Sequence, residues 1–183
     1  SLGYGPERVI PLTFHVGYWN APSWTDPYSQ PAFDQRQDRY ARTFDGPYTP
    51  QMVIDGRVTL VGSKRSDALS AIDRWRTEPA AIELRGSAKL RVDQDSIEIQ
   101  VDARSTGSRE FKASDVELFA ALYQRNVTTT VTGGENGGRT LNESFVVRQL
   151  SGPIALGKLT KIETVSFVLT RPPNVAASNL GIA

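Results

Sequence analysis

The sequence predicts an α/β domain followed by an antiparallel β-domain. In residues 1–78, apolar residues form continuous runs or recur at helical spacing, which is typical of alternating strands and helices. Beyond Glu78-Pro79, apolar and polar residues alternate in several short segments separated by turn-forming residues, as in an antiparallel β-sandwich. We therefore expect an α/β domain at 1–78, an antiparallel β-domain at 79–171 and a flexible tail at 172–183.

The first elements are a strand, a long loop and a helix. Residues 9–16 are almost continuously apolar, which predicts a strand buried on both faces. Residues 17–28 are rich in proline and aromatic side chains and form a loop. A helix begins near Pro31, because proline suits a first helical position, and ends at Gly46-Pro47.

Two short strands at 52–54 and 58–61 follow, joined by a two-residue Asp55-Gly56 turn of the kind favoured in hairpins. A second helix spans about 66–76, where apolar residues form one stripe. Turns are expected at 93–95, 106–108, 133–138 and 152–153. The predicted strands of the second half lie at 82–92, 97–103, 116–123, 127–131, 145–150 and 165–169, although 117–124 fits a helix as an alternative.

Composition excludes several kinds of function. The net charge is +1, so no basic field favours nucleic acid or an anionic membrane. The chain has no cysteine, which excludes internal disulfides and thiolate metal sites, and a single histidine excludes a histidine metal cluster. We expect no cofactor and no metal. No stretch is long and apolar enough to span a bilayer, and no signal peptide precedes the fold, so we expect a mature or trimmed chain.

Several motifs together resemble the DUF1223 family, whose members are bacterial, mostly exported proteins of unassigned activity with a thioredoxin-like domain. The resemblance covers about residues 9–169. It implies an α/β thioredoxin-like fold for the first domain, export to the periplasm, and a cis proline at Thr49-Pro50. The motifs that carry it lie at residues 15–20 (HVGYWN), 26–33 (DPYSQPAF), 48–56 (YTPQMVIDG) and 134–141 (GENGGRTL).

The resemblance also implies that the thioredoxin-like domain is incomplete at its N-terminus. Family members carry an upstream strand and a cysteine-containing turn, and without that strand the sheet would have a gap. We expect an N-terminal segment or a second chain to complete the sheet. Family members usually carry acidic residues where this chain has Gly17 and Asn20, which weakens a catalytic or metal role for that loop.

Candidate substrate-binding residues are Thr49 and Pro50, which the resemblance places beside an extended substrate, and Tyr18 and Trp19, which would line a groove together with Trp24. The alternatives are a turn that only shapes the sheet, and aromatic side chains that pin their loop onto the core. His15 is a candidate general base, and a structural histidine is the alternative. Asp26 and Asp55 are possible acidic partners without further support.

The glycine-rich segment 133–139 lacks the Lys-Ser/Thr of a phosphate-binding loop and is expected to be a hairpin turn. Glu135, Asn136 and Arg139 are candidates for contacts across to the other domain.

Two functions remain open. The first is thiol–disulfide exchange on protein substrates, implied by the resemblance, with its thiols outside this chain. The alternative is a non-enzymatic module that binds a protein or peptide.

Overall fold

The computed structural model describes residues 8–91, 95–107, 116–157, 159 and 161–183. It contains two α-helices, eight β-strands and one short 3-10 helix within these residues. In chain order the elements are α1 (Pro31–Ala41), β1 (Gln51–Ile54), β2 (Val58–Val61), α2 (Arg65–Trp75), β3 (Ile82–Arg91), β4 (Ser96–Ser105), β5 (Glu117–Thr130), β6 (Thr140–Ala155), β7 (Glu163–Thr170), the 3-10 helix (Ala177–Asn179) and β8 (Leu180–Ile182).

The strands form three separate antiparallel sheets, with the orders β1-β2, β3-β4-β7 and β6-β5-β8. The prediction of a thioredoxin-like α/β domain, incomplete at its N-terminus and followed by a β-sandwich-like domain, is therefore wrong. The strand predicted at residues 9–16 shows most clearly why this prediction fails. Within residues 9–16, only Thr13 forms a bridge, a parallel one with Val146 on β6. The apolar run is thus a segment laid against β6, and Ile10 is 42% exposed.

The two helices are amphipathic and short, with 11 residues each. Helix α1 begins at Pro31, as predicted, and buries Phe33. Helix α2 buries Ala68 and Ile72. In the part of the chain that the structure describes, no helix has the length and apolar character needed to cross a membrane.

The predicted hairpin is present, because its turn chemistry is local. Strands β1 and β2 pair from Gln51 with Val61 to Ile54 with Val58. The connection has three residues rather than the predicted two. Asp55 and Gly56 take positive φ angles of 51° and 65°, a conformation in which glycine carries no steric penalty.

The longest hairpin joins β5 and β6. The two strands predicted at 116–123 and 127–131 are one strand, β5, and the segment 117–124 is strand rather than helix. The turn predicted at Gly152-Pro153 is wrong, since both residues lie inside β6. Gly152 has a φ of 110°, and the register between β5 and β6 shifts between Leu118 and Ala120. A β-bulge therefore absorbs the irregular backbone without ending the strand.

Two hydrophobic clusters hold the larger sheets and α1 together. The first joins β4 and β7 of one three-stranded sheet to β5 of the other, and its buried members are Ile97, Ile99, Ala120, Leu122, Phe167 and Leu169. The second packs Phe33 of α1 against Ala121, Tyr123 and Val147 on β5 and β6. Helix α1 is thereby fixed on the β5–β6 hairpin, next to the residues of the site described below.

The predicted flexible tail at 172–183 contains a strand instead. Strand β8 pairs with β5 from Leu122–Ile182 to Gln124–Leu180, and Leu180 and Ile182 pack against the first cluster. Burial of these two side chains explains the order of this segment. The predicted domain boundary at residue 78, between 1–78 and 79–171, stays a prediction. The predicted turn at 93–95 lies mostly outside the described residues, as does Ser108 of the turn at 106–108.

Candidate functional site

A cavity of about 770 Å³ lies where three segments meet, and we call it the groove. One wall comes from residues 13–26 and a second from Thr49 and Pro50. The third comes from residues 131–136 of the connection that follows β5 and from the start of β6. The groove brings together most of the site residues predicted from sequence, namely His15, Trp19, Thr49, Pro50, Glu135 and Asn136. Tyr18 and Arg139 do not line it.

Trp19 and Thr49 connect two of these walls. The Thr49–Pro50 peptide bond is cis, as the resemblance implies. The Trp19 indole Nε1 donates a hydrogen bond of 3.0 Å to Thr49 Oγ1, although Trp19 remains 70% exposed. Tyr18 is also exposed, and its ring centroid lies 5.6 Å from that of Trp19. The groove therefore has an exposed indole at its edge, which the hydrogen bond to Thr49 orients.

His15 lies between two carboxylates. Its Nδ1 is 2.7 Å from Asp26 Oδ2, and since a carboxylate only accepts, Nδ1 donates this hydrogen bond. Its Nε2 is 3.3 Å from Glu143 Oε1 on β6, close enough for an ion pair but without hydrogen-bond geometry. The side chain is only 10% exposed. The edge of the imidazole also packs near the Tyr28 ring, with centroids 5.6 Å apart.

Both members of the His15–Asp26 pair have shifted pKa values. Burial lowers the pKa of His15, but the Asp26 hydrogen bond and the charges of Asp26 and Glu143 outweigh it, so the net shift is upward. Burial raises the pKa of Asp26, but the His15 hydrogen bond and backbone N–H donors outweigh it, so the net shift is downward. The charged pair, imidazolium and carboxylate, is therefore the favoured state.

The aromatic loop at 17–28 is held by side-chain hydrogen bonds to its backbone. The Tyr28 backbone N–H donates to Asp26 Oδ1 at 2.8 Å, and the Asp26 N–H donates to Asn20 Oδ1 at 2.9 Å. At the start of the loop, the Gly17 N–H donates to Asp34 Oδ1 on α1 at 2.7 Å. Asp34 thus places an acidic group at Gly17, although the chain lacks an acidic residue at that position.

The connection between β5 and β6 lies against this loop. A Cβ atom at Gly133 would come within 2.3 Å of the Ser23 carbonyl oxygen, so the two backbones touch. Glu135 and Asn136 are exposed and line the groove. Arg139 donates to Asn136 Oδ1 at 3.2 Å and so stabilises the turn. Within the described part of the chain Glu135 has no salt bridge, unlike Asp26 and Glu143.

The residues of the groove do not form a metal centre. Among the described residues, no group of three or more His, Asp and Glu side chains is placed to hold an ion. The two nitrogens of His15 face different carboxylates, so the histidine and the two acids do not converge on one point.

Sequence comparison gives the family. The model of the DUF1223 family, described as proteins of unknown function, matches residues 2–183. The chain belongs to the DUF1223 family. A crystal structure of protein AGR_C_4864 from Agrobacterium tumefaciens is similar, with a TM-score of 0.62 and 21% identity over 93% of this chain and 78% of that one. This likeness concerns the fold alone. No curated protein matches the chain.

Two residues of this DUF1223 site escaped sequence reasoning. Glu143 lies far from His15 along the chain, and the contacts of the N-terminal segment with β6, including the Thr13–Val146 bridge, bring them together. Asp34 lies on α1, where an acidic residue usually faces solvent, but its carboxylate is half-buried against Gly17. Asp26 was named without support, and the 2.7 Å contact with His15 supplies that support. Asp55 lies outside the groove.

Proposed function

We propose that this DUF1223 protein is a non-enzymatic binding module that holds an extended peptide or protein segment in the groove. The exposed Trp19 indole at the groove, oriented by its hydrogen bond to Thr49, carries the proposal. A tryptophan offers a large contact area and loses little conformational entropy on binding. Fixing it in advance lowers the ordering penalty further, which favours affinity.

The size and composition of the groove support a peptide ligand. A volume of about 770 Å³ falls in the range of small-ligand and peptide sites. Its lining combines aromatic and apolar residues with carboxylates, amides and hydroxyls. An extended peptide has a matching mixture, with backbone donors and acceptors along its length and side chains at intervals.

The polar groups of the groove do not favour catalysis. Both ring nitrogens of His15 face carboxylates, and the upward shift of its pKa favours the imidazolium, which has no lone pair with which to accept a proton. The Thr13 hydroxyl donates to the Ser144 carbonyl at 3.0 Å, and the Thr49 hydroxyl accepts from Trp19, so neither is paired with a base. Thiol–disulfide exchange would need thiols from outside these residues, because the chain has no cysteine.

Selection from a phage-displayed library of random decapeptides tests the proposal. We expect wild-type protein to enrich a set of related peptides, and Trp19→Ala to weaken their binding about tenfold or more, as removal of a central aromatic anchor does. Val168→Ala is the control, because Val168 is 62% exposed on β7 and does not line the groove. No enrichment, or equal binding by wild type and Trp19→Ala, would contradict the proposal.

The proposal includes export, which the family resemblance implies. Fractionation of cells that express the native gene would place the protein in the periplasm. Recovery with cytosolic markers alone would exclude this part of the proposal.

A further inference from the structure

We propose that the groove is selective for peptides that carry a lysine or arginine side chain. This inference rests on the proposed function and adds the chemistry of the ligand. It draws on three features of the groove: its charge, its exposed aromatic ring and a buried polar atom without a hydrogen-bond partner.

The lining of the groove is acidic. It contains three carboxylates, those of Asp26, Glu135 and Glu143, and one basic group, His15. With His15 protonated, the formal charge of the lining is therefore −2. Asp26 and Glu143 face His15, whereas Glu135 makes no salt bridge within the described residues. The exposed Glu135 carboxylate is the group available to a cationic ligand.

Trp19 supplies a second contact for a cation. An indole face attracts an ammonium or guanidinium group more strongly than a tyrosine or phenylalanine ring does. Elsewhere in this protein, basic side chains already pack on an indole: the Arg57 and Arg74 guanidinium carbons lie 4.6 and 4.8 Å from the Trp75 ring centroid. Trp19 makes no such contact within the described residues, and its ring is open to a ligand.

His15 Nε2 indicates that the ligand is a peptide rather than a simple amine. This atom is buried, lacks a hydrogen-bond partner, and belongs to a side chain that lines the groove and is nine-tenths buried. On a protonated imidazole, Nε2–H is a donor and requires an acceptor. Glu143 Oε1 lies 3.3 Å from Nε2 without hydrogen-bond geometry, and because Nε2 is enclosed, a peptide carbonyl would contact it only after the side chains around it move. A simple amine has no group that could accept.

Matched peptide pools test the selectivity. Three pools of acetylated, amidated hexapeptides would carry Lys, Gln or Glu at the third position and the same random mixture elsewhere. Binding would be measured by fluorescence anisotropy of labelled pools at 50 mM and 300 mM salt. We expect the Lys pool to bind about five- to thirtyfold more tightly than the Gln pool, from one exposed ion pair and one cation–π contact. The Glu pool should bind most weakly.

Two variants locate the effect. Glu135→Gln should reduce the Lys-over-Gln ratio to about twofold or less. Asp38→Asn is the control, because Asp38 is an exposed acid on α1 outside the groove, and its ratio should match that of wild type. The ratio should fall at 300 mM salt because exposed charge pairs are screened.

The outcomes separate the two proposals. Equal binding of the Lys and Gln pools, or a preference that survives Glu135→Gln, would overturn the selectivity and leave peptide binding in place. Failure of all three pools to bind, together with failed phage selection, would overturn the proposed function and this inference with it.

Discussion

The contact between Gly133 and Ser23 sets the position of the aromatic loop against the β5–β6 connection, and Gly133→Ala tests it. The new Cβ would lie 2.3 Å from the Ser23 carbonyl oxygen and 2.9 Å from its carbonyl carbon. Both are backbone atoms, so no side chain can rotate away, and the loop must move by about 0.7 Å to restore a 3.0 Å contact. Overpacking of this kind costs about 1–3 kcal/mol.

Thermal unfolding followed by circular dichroism measures the effect. For a chain of this length, 1 kcal/mol lowers Tm by about 2–4 °C, so we expect a decrease of about 2–12 °C. Gly86→Ala is the matched control. Its Cβ would have only ordinary contacts of 3.5 Å in strand β3, so its Tm should be equal or slightly higher. A Tm for Gly133→Ala within 1 °C of wild type would refute the inferred contact.

Three further predictions concern the pair in the groove and the packing of α1. His15→Gln should destabilise the protein by about 1–3 kcal/mol, because it leaves the half-buried Asp26 carboxylate without its charged partner. Because the pKa of His15 is raised, the extra stability of wild type over His15→Gln is fully present below the ordinary histidine pKa near 6.5 and is lost as pH rises through the raised value. Urea unfolding from pH 5.5 to 9 would show this difference in unfolding free energy becoming smaller. A difference that stays constant would contradict the charged pair. Because the pKa of Asp26 is lowered, the contribution of its carboxylate to stability is present above about pH 4 and is lost as pH falls through the lowered value. Acid unfolding of wild type and Asp26→Asn would show their difference in stability narrowing toward pH 2. Phe33→Ala should lower the free energy of unfolding by about 3–5 kcal/mol, measured in urea, because Phe33 is 1% exposed between α1 and the β5–β6 hairpin. The control Val168→Ala, at an exposed residue, should change it by less than about 0.5 kcal/mol. Equal effects of the two substitutions would contradict this packing.

Local sequence signals predicted local structure well. The hairpin of β1 and β2 follows from two short apolar segments around Asp55-Gly56, and both residues take the positive φ angles that such a turn uses. Helix α1 begins at Pro31, where proline is favoured. In each case the residues that decide the structure are neighbours in the chain.

Signals that depend on distant partners were misinterpreted. The apolar run at 9–16 is compatible with a central strand, yet its bridging partner is Val146, which no local pattern indicates. Gly152-Pro153 has the composition of a turn, but pairing with β5 continues across it through a bulge. The small residues after Pro173 indicated a flexible tail, whereas Leu180 and Ile182 find an apolar surface on β5.

The candidate site was partly accessible from sequence. The residues chosen by the resemblance and by chemistry, among them Trp19, Thr49 and Glu135, lie around one groove. The partner of His15 on β6 was missed because the approach of Glu143 depends on how the N-terminal segment lies along that strand. Sequence thus indicated several residues that line the groove, and the fold determined which of them meet.

The most direct test of the groove uses the indole N–H signals of the three tryptophans in a ¹H–¹⁵N NMR spectrum. Trp19 and Trp24 line the groove, whereas Trp75 lies on α2, packed with Arg57 and Arg74, and serves as an internal control. On titration with the tightest-binding selected decapeptide, we predict that the Trp19 and Trp24 signals shift with one common Kd while that of Trp75 stays in place. Shifts at Trp75 alone, or no shift at Trp19 with a bound peptide, would contradict binding in the groove.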